Sequence, residues 1–305
     1  MTTDHYPQRF FLDFETTGLN PASDHVLEVG LRGAKCLDRL VSDAPEASFG
    51  ALRVHGLDRV LCQVRGRPSA EVLDELLAAL GPNPVEIVAH NADFERAFLE
   101  AWAQRLGRDL PPIRCTCTYQ WARRLVGKPP FRLRLGDLAG IFGWRTGALH
   151  RAGDDAALAE RLWHALRSWE AVQASLHQRT KVLYVAGPLR GSGQPEAIIQ
   201  NQEAMRNLCR WIQALLPETA LVVPHLNFGF LDESGAQGIG VRERALRACE
   251  TLLARCDALL LCGEELTEGM AREKSMAASL GLPVLRAPGW DTDQDALQKS
   301  ATHSA

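Results

Sequence analysis

Asp13 and Glu15 stand two residues apart inside the apolar run Phe10-Phe11-Leu12-Asp13-Phe14-Glu15. In a strand, side chains at i and i+2 leave on the same face. Two carboxylates held side by side repel each other, and burying them strips their hydration. A fold that keeps both needs something to offset the charge. A divalent cation does this, and hard oxygen ligands suit Mg²⁺ or Mn²⁺. Thr16-Thr17-Gly18 follows as a turn whose backbone N–H groups can meet a phosphate or a chain end. The same run also reads as an edge strand with one acid in solvent, and the stretch alone leaves both readings open.

The chain has 305 residues, enough for two domains. No apolar run approaches the length of a membrane span, and the polar N-terminus lacks a signal-peptide core. The eight cysteines form no CxxC pair and no zinc spacing, so they read as reduced thiols of a cytoplasmic protein. Cys115 and Cys117 read as two strand-end thiols. A net charge of −3 argues against broad, non-specific duplex binding, which needs many phosphate contacts. It leaves room for an enzyme that grips a few nucleotides through metals. Arg123-Arg124 with Lys128, and Arg132 with Arg134, read as solvated basic faces.

Along the first half, Phe10–Phe14 reads as a buried strand, with Val26–Arg32 and Ala51–Val54 as antiparallel partners. Ser69 is the expected N-cap of a helix whose apolar face is Val72, Leu73, Leu76, Leu77 and Leu80. Val85–Ala89 is a short strand running into His90-Asn91-Ala92-Asp93-Phe94. There Asp93 reads either as a helix cap or as a third carboxylate at the mouth of a sheet. Helices are expected over Thr116–Val126 and Leu135–Phe142. A last helix carries Asp155, with His150 in the loop before it. A histidine that is neutral near pH 7 beside acidic metal ligands is what water activation requires.

Residues 9–169 resemble the DnaQ-like 3′–5′ exonucleases of the DEDDh branch. The motifs that carry this are Phe11-Leu12-Asp13-Phe14-Glu15-Thr16-Thr17-Gly18-Leu19, Ala89-His90-Asn91-Ala92-Asp93-Phe94 and His150-Arg151-Ala152-Gly153-Asp154-Asp155-Ala156. They fall in the family's order and spacing, and Val54-His55-Gly56-Leu57 fits too. The resemblance implies a ribonuclease H-like mixed sheet with flanking helices. It implies Asp13, Glu15, Asp93 and Asp155 as ligands of two Mg²⁺ or Mn²⁺, with His150 as general base. Thr16, Thr17, Gly18, Leu19, His90 and Asn91 would hold the 3′-terminal nucleotide, Leu19 by wedging near the last base. Two ions would stabilise both the entering and the leaving oxygen of an in-line displacement.

The polar stretch 169–180 reads as the boundary between an exonuclease domain at 1–175 and a second domain at 180–288, with 289–305 as a polar, frayed tail. The second half alternates strand and helix, which predicts a doubly wound parallel sheet. Lys181–Ala186 is its first strand and ends in Gly187-Pro188, where α/β sheets bind ligands. This half resembles the nucleoside 2-deoxyribosyltransferase-like superfamily through Tyr184-Val185-Ala186-Gly187-Pro188 and Gly269-Met270-Ala271-Arg272-Glu273. A Pro224-His225-Leu226 segment is shared with small relatives. The resemblance implies Glu273 as a carboxylate acting at a sugar C1. Tyr184, Gly187, Pro188, His225, Gly269 and Met270 would line a nucleotide or nucleoside site.

The expected protein is therefore a metal-dependent exonuclease that releases nucleoside monophosphates from single-stranded DNA or RNA 3′ ends. Its second domain binds nucleotides or cleaves N-glycosidic bonds. The alternative is a non-catalytic second domain that senses a nucleotide and regulates the nuclease. The expected partners include no membrane, and a homo-oligomer is left open.

Overall fold

The computed structural model describes residues 8–147, 149–176, 180–189, 193–227, 238–263 and 266–291. Packing divides the chain into two compact units. One is drawn from the residues up to Arg123 with Leu133–Gly136 and Thr146–His164. The other takes Arg124–Arg132, Asp137–Arg145 and the chain from Ala165 onward. One boundary between them falls inside the helix Ala152–Leu176.

In the first unit, β1 (Gln8–Thr16) carries the acidic run, followed by β2 (Val26–Gly33) and β3 (Leu37–Leu40). Next come α1 (Phe49–His55), α2 (Arg59–Arg65), α3 (Ser69–Leu80), β4 (Val85–Ala89) and α4 (Ala92–Leu106). They are followed by β5 (Ile113–Cys117), and by α5 (Thr118–Val126), α6 (Leu135–Ile141) and α7 (Ala152–Leu176), each of which the division cuts. The sheet order is β3-β2-β1-β4-β5. β1, β2 and β3 pair antiparallel, while β4 and β5 run parallel to β1. This is the ribonuclease H-like mixed sheet that the sequence predicts.

The period of two along β1 sorts its side chains. Phe10, Leu12 and Phe14 enter the main core with Val29, Leu31, Val72 and Phe98. Phe11 faces the other way and meets Trp163 of α7 edge-on, with centroids 6.1 Å apart. Asp13 and Glu15 share the Phe11 face, the one covered by α7. A register shift between Glu15 and Thr16 ends the ladder beside the acids, where bulges commonly re-aim side chains.

Ala51–Val54 is helical, not a strand, and Leu37–Leu40 takes its place beside β2. Ser48 accepts from the Ala51 N–H to start α1, and Gly56, at φ 70°, ends it. Ser69 is not a cap either. Pro68 holds that position, and the Ser69 hydroxyl accepts from Trp102 Nε1 at 2.7 Å.

The second unit contains β6 (Val182–Ala186), α8 (Pro195–Leu215), β7 (Ala220–Val222) and α9 (Pro224–Asn227). It continues with α10 (Gly238–Leu253), β8 (Ala258–Cys262), α11 (Glu268–Ser279) and β9 (Val284–Ala287). Its sheet, ordered β7-β6-β8-β9, is parallel throughout. One face packs Tyr184, Ala186, Leu259 and Leu261 against Cys249, Leu253, Met270 and Ala277. The Asp257 carboxylate accepts from the Lys181 and Val182 N–H groups and pins the start of β6. Strand order reverses between β6 and β8, which sets a crevice at their carboxyl ends.

The expected fraying from residue 289 is not what the first tail residues do. Trp290 is buried, and its Nε1 donates to Asn201 Oδ1 at 2.7 Å. Gly289 O accepts from Trp144 Nε1, and Asp291 accepts from the Arg145 N–H. One indole buries enough apolar area to order the polar residues around it.

Candidate active site

Glu15, His150 and Asp155 each present a ligand atom, and these lie within 4.8 Å of one another. Glu15 and Asp155 are buried, while His150 is exposed. His150 holds a left-handed backbone, φ 66°, an uncommon conformation for a side-chain-bearing residue. Its N–H donates to Asp155 Oδ2 at 3.2 Å, which ties the loop to the first turn of α7.

Asp13 joins this cluster through its charge. Burial raises its pKa well above the usual carboxylate range, and Glu95, Asp155 and Glu15 raise it further. Burial, then Asp155 and Glu28, push Glu15 up to about 8. Burial also raises Asp155. These shifts share one physical origin, which is several carboxylates in a small, poorly hydrated space.

The two acids at the start of α4 are placed differently. Asp93 is exposed in the first turn of α4, whereas Glu95 is buried. Two residues on a helix differ by roughly 200° in direction, so both cannot face the sheet. Glu95 shares its face with Phe98, Leu99 and Trp102, all buried. Burial pushes its pKa up to about 8, and Glu15 and Asp93 add to the shift. An acid at i−3 and i−4 from two core residues was the signal that could have found it.

Glu28 was also missed. It sits directly opposite Glu15 in the β1–β2 ladder. Arg151 grips it at 2.5 and 3.1 Å, and the Ala152 N–H donates to it at 3.0 Å. It is thus already neutralised by the protein, whereas Glu95 Oε2 and Asp155 Oδ1 are buried without a partner. Orphaned carboxylate oxygens beside further acids fit hard divalent cations.

The loop after β1 is built around Asp24. Its carboxylate accepts from the Thr17 hydroxyl and from the Asn20 N–H, and a Cβ on Gly18 would strike it. The Thr16 hydroxyl donates to Gly18 O at 2.6 Å, and Thr17 Oγ1 also accepts from the His25 N–H. Both threonine hydroxyls therefore bond within the turn. Leu19 is 85% exposed, as a base-wedging side chain requires. His55 accepts from the Leu57 N–H through Nδ1, which leaves Nε2–H to donate to Thr16 O and brace the loop.

His90 is bonded through both ring nitrogens. Its Nε2 meets Leu133 O at 2.9 Å and its Nδ1 meets the Thr118 hydroxyl at 3.0 Å. Burial lowers its pKa to about 4, so it is a neutral structural clamp. Asn91 is exposed at the N-cap of α4 and makes no side-chain cap bond.

In the second unit the Tyr184 hydroxyl donates to Glu273 Oε1 at 2.6 Å. Burial raises the Glu273 pKa, and the Tyr184 bond partly offsets this. Met270 is a core residue, 1% exposed. Gly187 and Pro188 are buried. A Cβ on Gly187 would lie 2.8 Å from the Trp290 ring, so that turn is covered by the chain's own indole. A Cβ on Gly269 would meet only the Thr267 hydroxyl, at 4.0 Å. The side chain of His225 lies outside the described residues.

Proteins named for nuclease or polymerase work are among this chain's relatives. A 101-residue segment is 35% identical to the PolC-type DNA polymerase III of Thermotoga maritima, 31% of this chain and 7% of that one. Over 81 residues it is 38% identical to a Mycobacterium tuberculosis protein named as a bifunctional exonuclease/endonuclease, 26% of this chain and 13% of the relative. The chain thus spans a small part of the length of these curated relatives. The solved structure of E. coli exonuclease I with a dT13 oligonucleotide is similar at a TM-score of 0.47 and 15% identity, covering 56% of this chain and 43% of that one. Residues 181–287 match a family model described as Domain of unknown function (DUF7768). No helix among the described residues is long and apolar enough to cross a membrane.

Proposed function

We propose that the first unit is a metal-dependent 3′–5′ exonuclease that releases nucleoside monophosphates from single-stranded DNA or RNA. The observation that carries this reading is the meeting of Glu15, Asp155 and His150 within 4.8 Å, with the charges of Asp13 and Glu95 acting beside them. Asp13, Glu15, Glu95 and Asp155 would hold two Mg²⁺ or Mn²⁺ ions, with Glu95 in place of Asp93. Such ions, when bound, stabilise charge developing on phosphodiester oxygens. The chain's own residues do the rest. His150 takes the proton of the attacking water as its oxygen bonds phosphorus, the phosphorus–O3′ bond breaks, the leaving O3′ takes a proton from solvent, and Asp155 fixes the His150 loop through the backbone bond. Leu19, exposed at the lip, packs on the terminal base, and Asn91 faces solvent at the start of α4. Digestion of end-labelled oligonucleotides with Mg²⁺ tests this. Wild-type protein should yield monophosphates, and an Asp13→Ala protein that digests as fast would remove the reading.

For the second unit, the Tyr184–Glu273 pair supports a nucleotide or nucleoside site with N-glycosidic chemistry, as in the deoxyribosyltransferase-like resemblance. Free base released from a deoxynucleoside monophosphate, and lost in Glu273→Gln, is the expected result. Nucleotide sensing is the second reading, favoured by the Trp290 ring over Gly187. It predicts that added nucleotides change the exonuclease rate and that Glu273→Gln keeps this response.

A further inference from the structure

The same sheet face holds a second feature that the acid site does not use. Beside the β2–β3 edge lies a cavity of about 390 Å³ lined by Arg39, Arg65, Arg67 and Arg151 with Glu28 and Asp38. Its charges do not cancel. Arg151 is matched by Glu28, and Asp38 by Arg32. Arg39 and Arg67 share the single carboxylate of Glu75, and Arg65 has no acidic partner among the described residues. Two guanidinium charges are therefore in excess, on a chain whose net charge is −3.

Position gives this excess a meaning. Glu15 pairs across the ladder with Glu28, and Glu28 with Leu40, which also lines the cavity. Strands lie about 4.8 Å apart, so the cavity runs from Glu28, roughly 5 Å along the sheet from Glu15, to Leu40, roughly 10 Å away. Arg151 links the two places, since it follows His150 in the chain and lines the cavity. Arg67 is fixed by backbone, through a bridge to Val41 and bonds to Leu40 and Ser42. Guanidinium forks suit phosphate oxygens, which they can bind in pairs.

We infer that this arginine-lined cavity binds a backbone phosphate of the polynucleotide a short way from the bond being cut. This rests on the nuclease reading and extends it, because a second grip on the strand favours chains over dinucleotides.

The test is anisotropy of a fluorescent single-stranded oligonucleotide with EDTA present, titrated at several salt concentrations. Arg65→Glu and the double variant Arg65→Glu/Arg67→Gln are compared with wild type. Melting curves check folding, and Arg39 still holds Glu75 in both variants. The expected result is affinity weakened about tenfold in the double variant. The slope of log affinity against log salt should flatten by roughly 0.7 for each phosphate that the protein no longer neutralises. Unchanged affinity and slope would overturn the inference. Inorganic phosphate serves as a second arm. If it stabilises wild type and not the variants while oligonucleotide affinity is unaltered, the cavity is a small-anion site and the polynucleotide assignment fails. A wild type that neither binds nor digests oligonucleotides would instead remove the nuclease reading itself.

Discussion

At the scale of single residues, the sharpest question is which carboxylate of α4 belongs to the site. Glu95→Gln should cut Mg²⁺-dependent digestion by roughly 100-fold or more, as loss of a group that organises transition-state charge does. Asp93→Asn should change the rate less than about threefold, since its side chain is exposed. Equal losses in the two variants would restore Asp93. His90 gives a second residue-scale prediction. Its folded pKa is about 4, against 6.5 for a free histidine. Between those values the unfolded chain binds the proton and the folded protein does not, so His90 costs stability as pH falls from about 6.5 to 4. At full effect this is roughly 3 kcal/mol. His90→Gln should therefore destabilise most near pH 7, and the gap to wild type in urea melts should narrow towards pH 4.

At the scale of elements, β1, β2, α4 and α7 each bring an acid to one space. Glu15 and Glu95 have folded pKa values near 8. An acid whose pKa is raised holds its proton in the folded state and loses it in the unfolded one. Its contribution is thus present at low pH and fades as pH rises from about 4.5 to 8. The metal-free protein should melt at lower temperature at pH 8 than at pH 6. Mg²⁺ should raise the melting temperature, and by more at pH 8, where the carboxylates are charged. A Mg²⁺ shift that is equal at both pH values, or absent, would mean that these oxygens do not gather a cation.

At the scale of the whole molecule, the two units meet different tests. Trp290 covers the Gly187 turn of the second unit with its ring and donates its Nε1–H to Asn201. Trp290→Ala should lower that unit's stability by about 3 kcal/mol or more, and denaturant melts would show it. It should also uncover the Gly187 turn, so a nucleotide that shifts melting only in the variant would show the indole to be a gate. If neither stability nor ligand response changes, the packing around Trp290 contributes little.

The first half's site was legible where its residues lie close along the chain. The Asp13–Glu15 spacing and the placing of His150 just before Asp155 need only the period of a strand and a helix start. Choosing Glu95 over Asp93 needed the apolar face of α4, which the sequence carries in Phe98, Leu99 and Trp102. Glu28 needed a cross-strand register, and a strand read alone does not reveal its partner. The α1 helix was read as a strand because a short apolar segment fits either state, and the Ser48 cap and Gly56 mark it as a helix.

Alone, the sequence determined the acidic strand, the alternation of strand and helix in the second half and the position of the Tyr184–Glu273 pair's two members. Period and composition are local and need no partner. Tertiary structure decided which acids converge, which histidine clamps rather than binds, and that a tryptophan from the tail covers Gly187. Each of those depends on segments distant in the chain coming within a few ångströms, and only burial and pairing in three dimensions fix that.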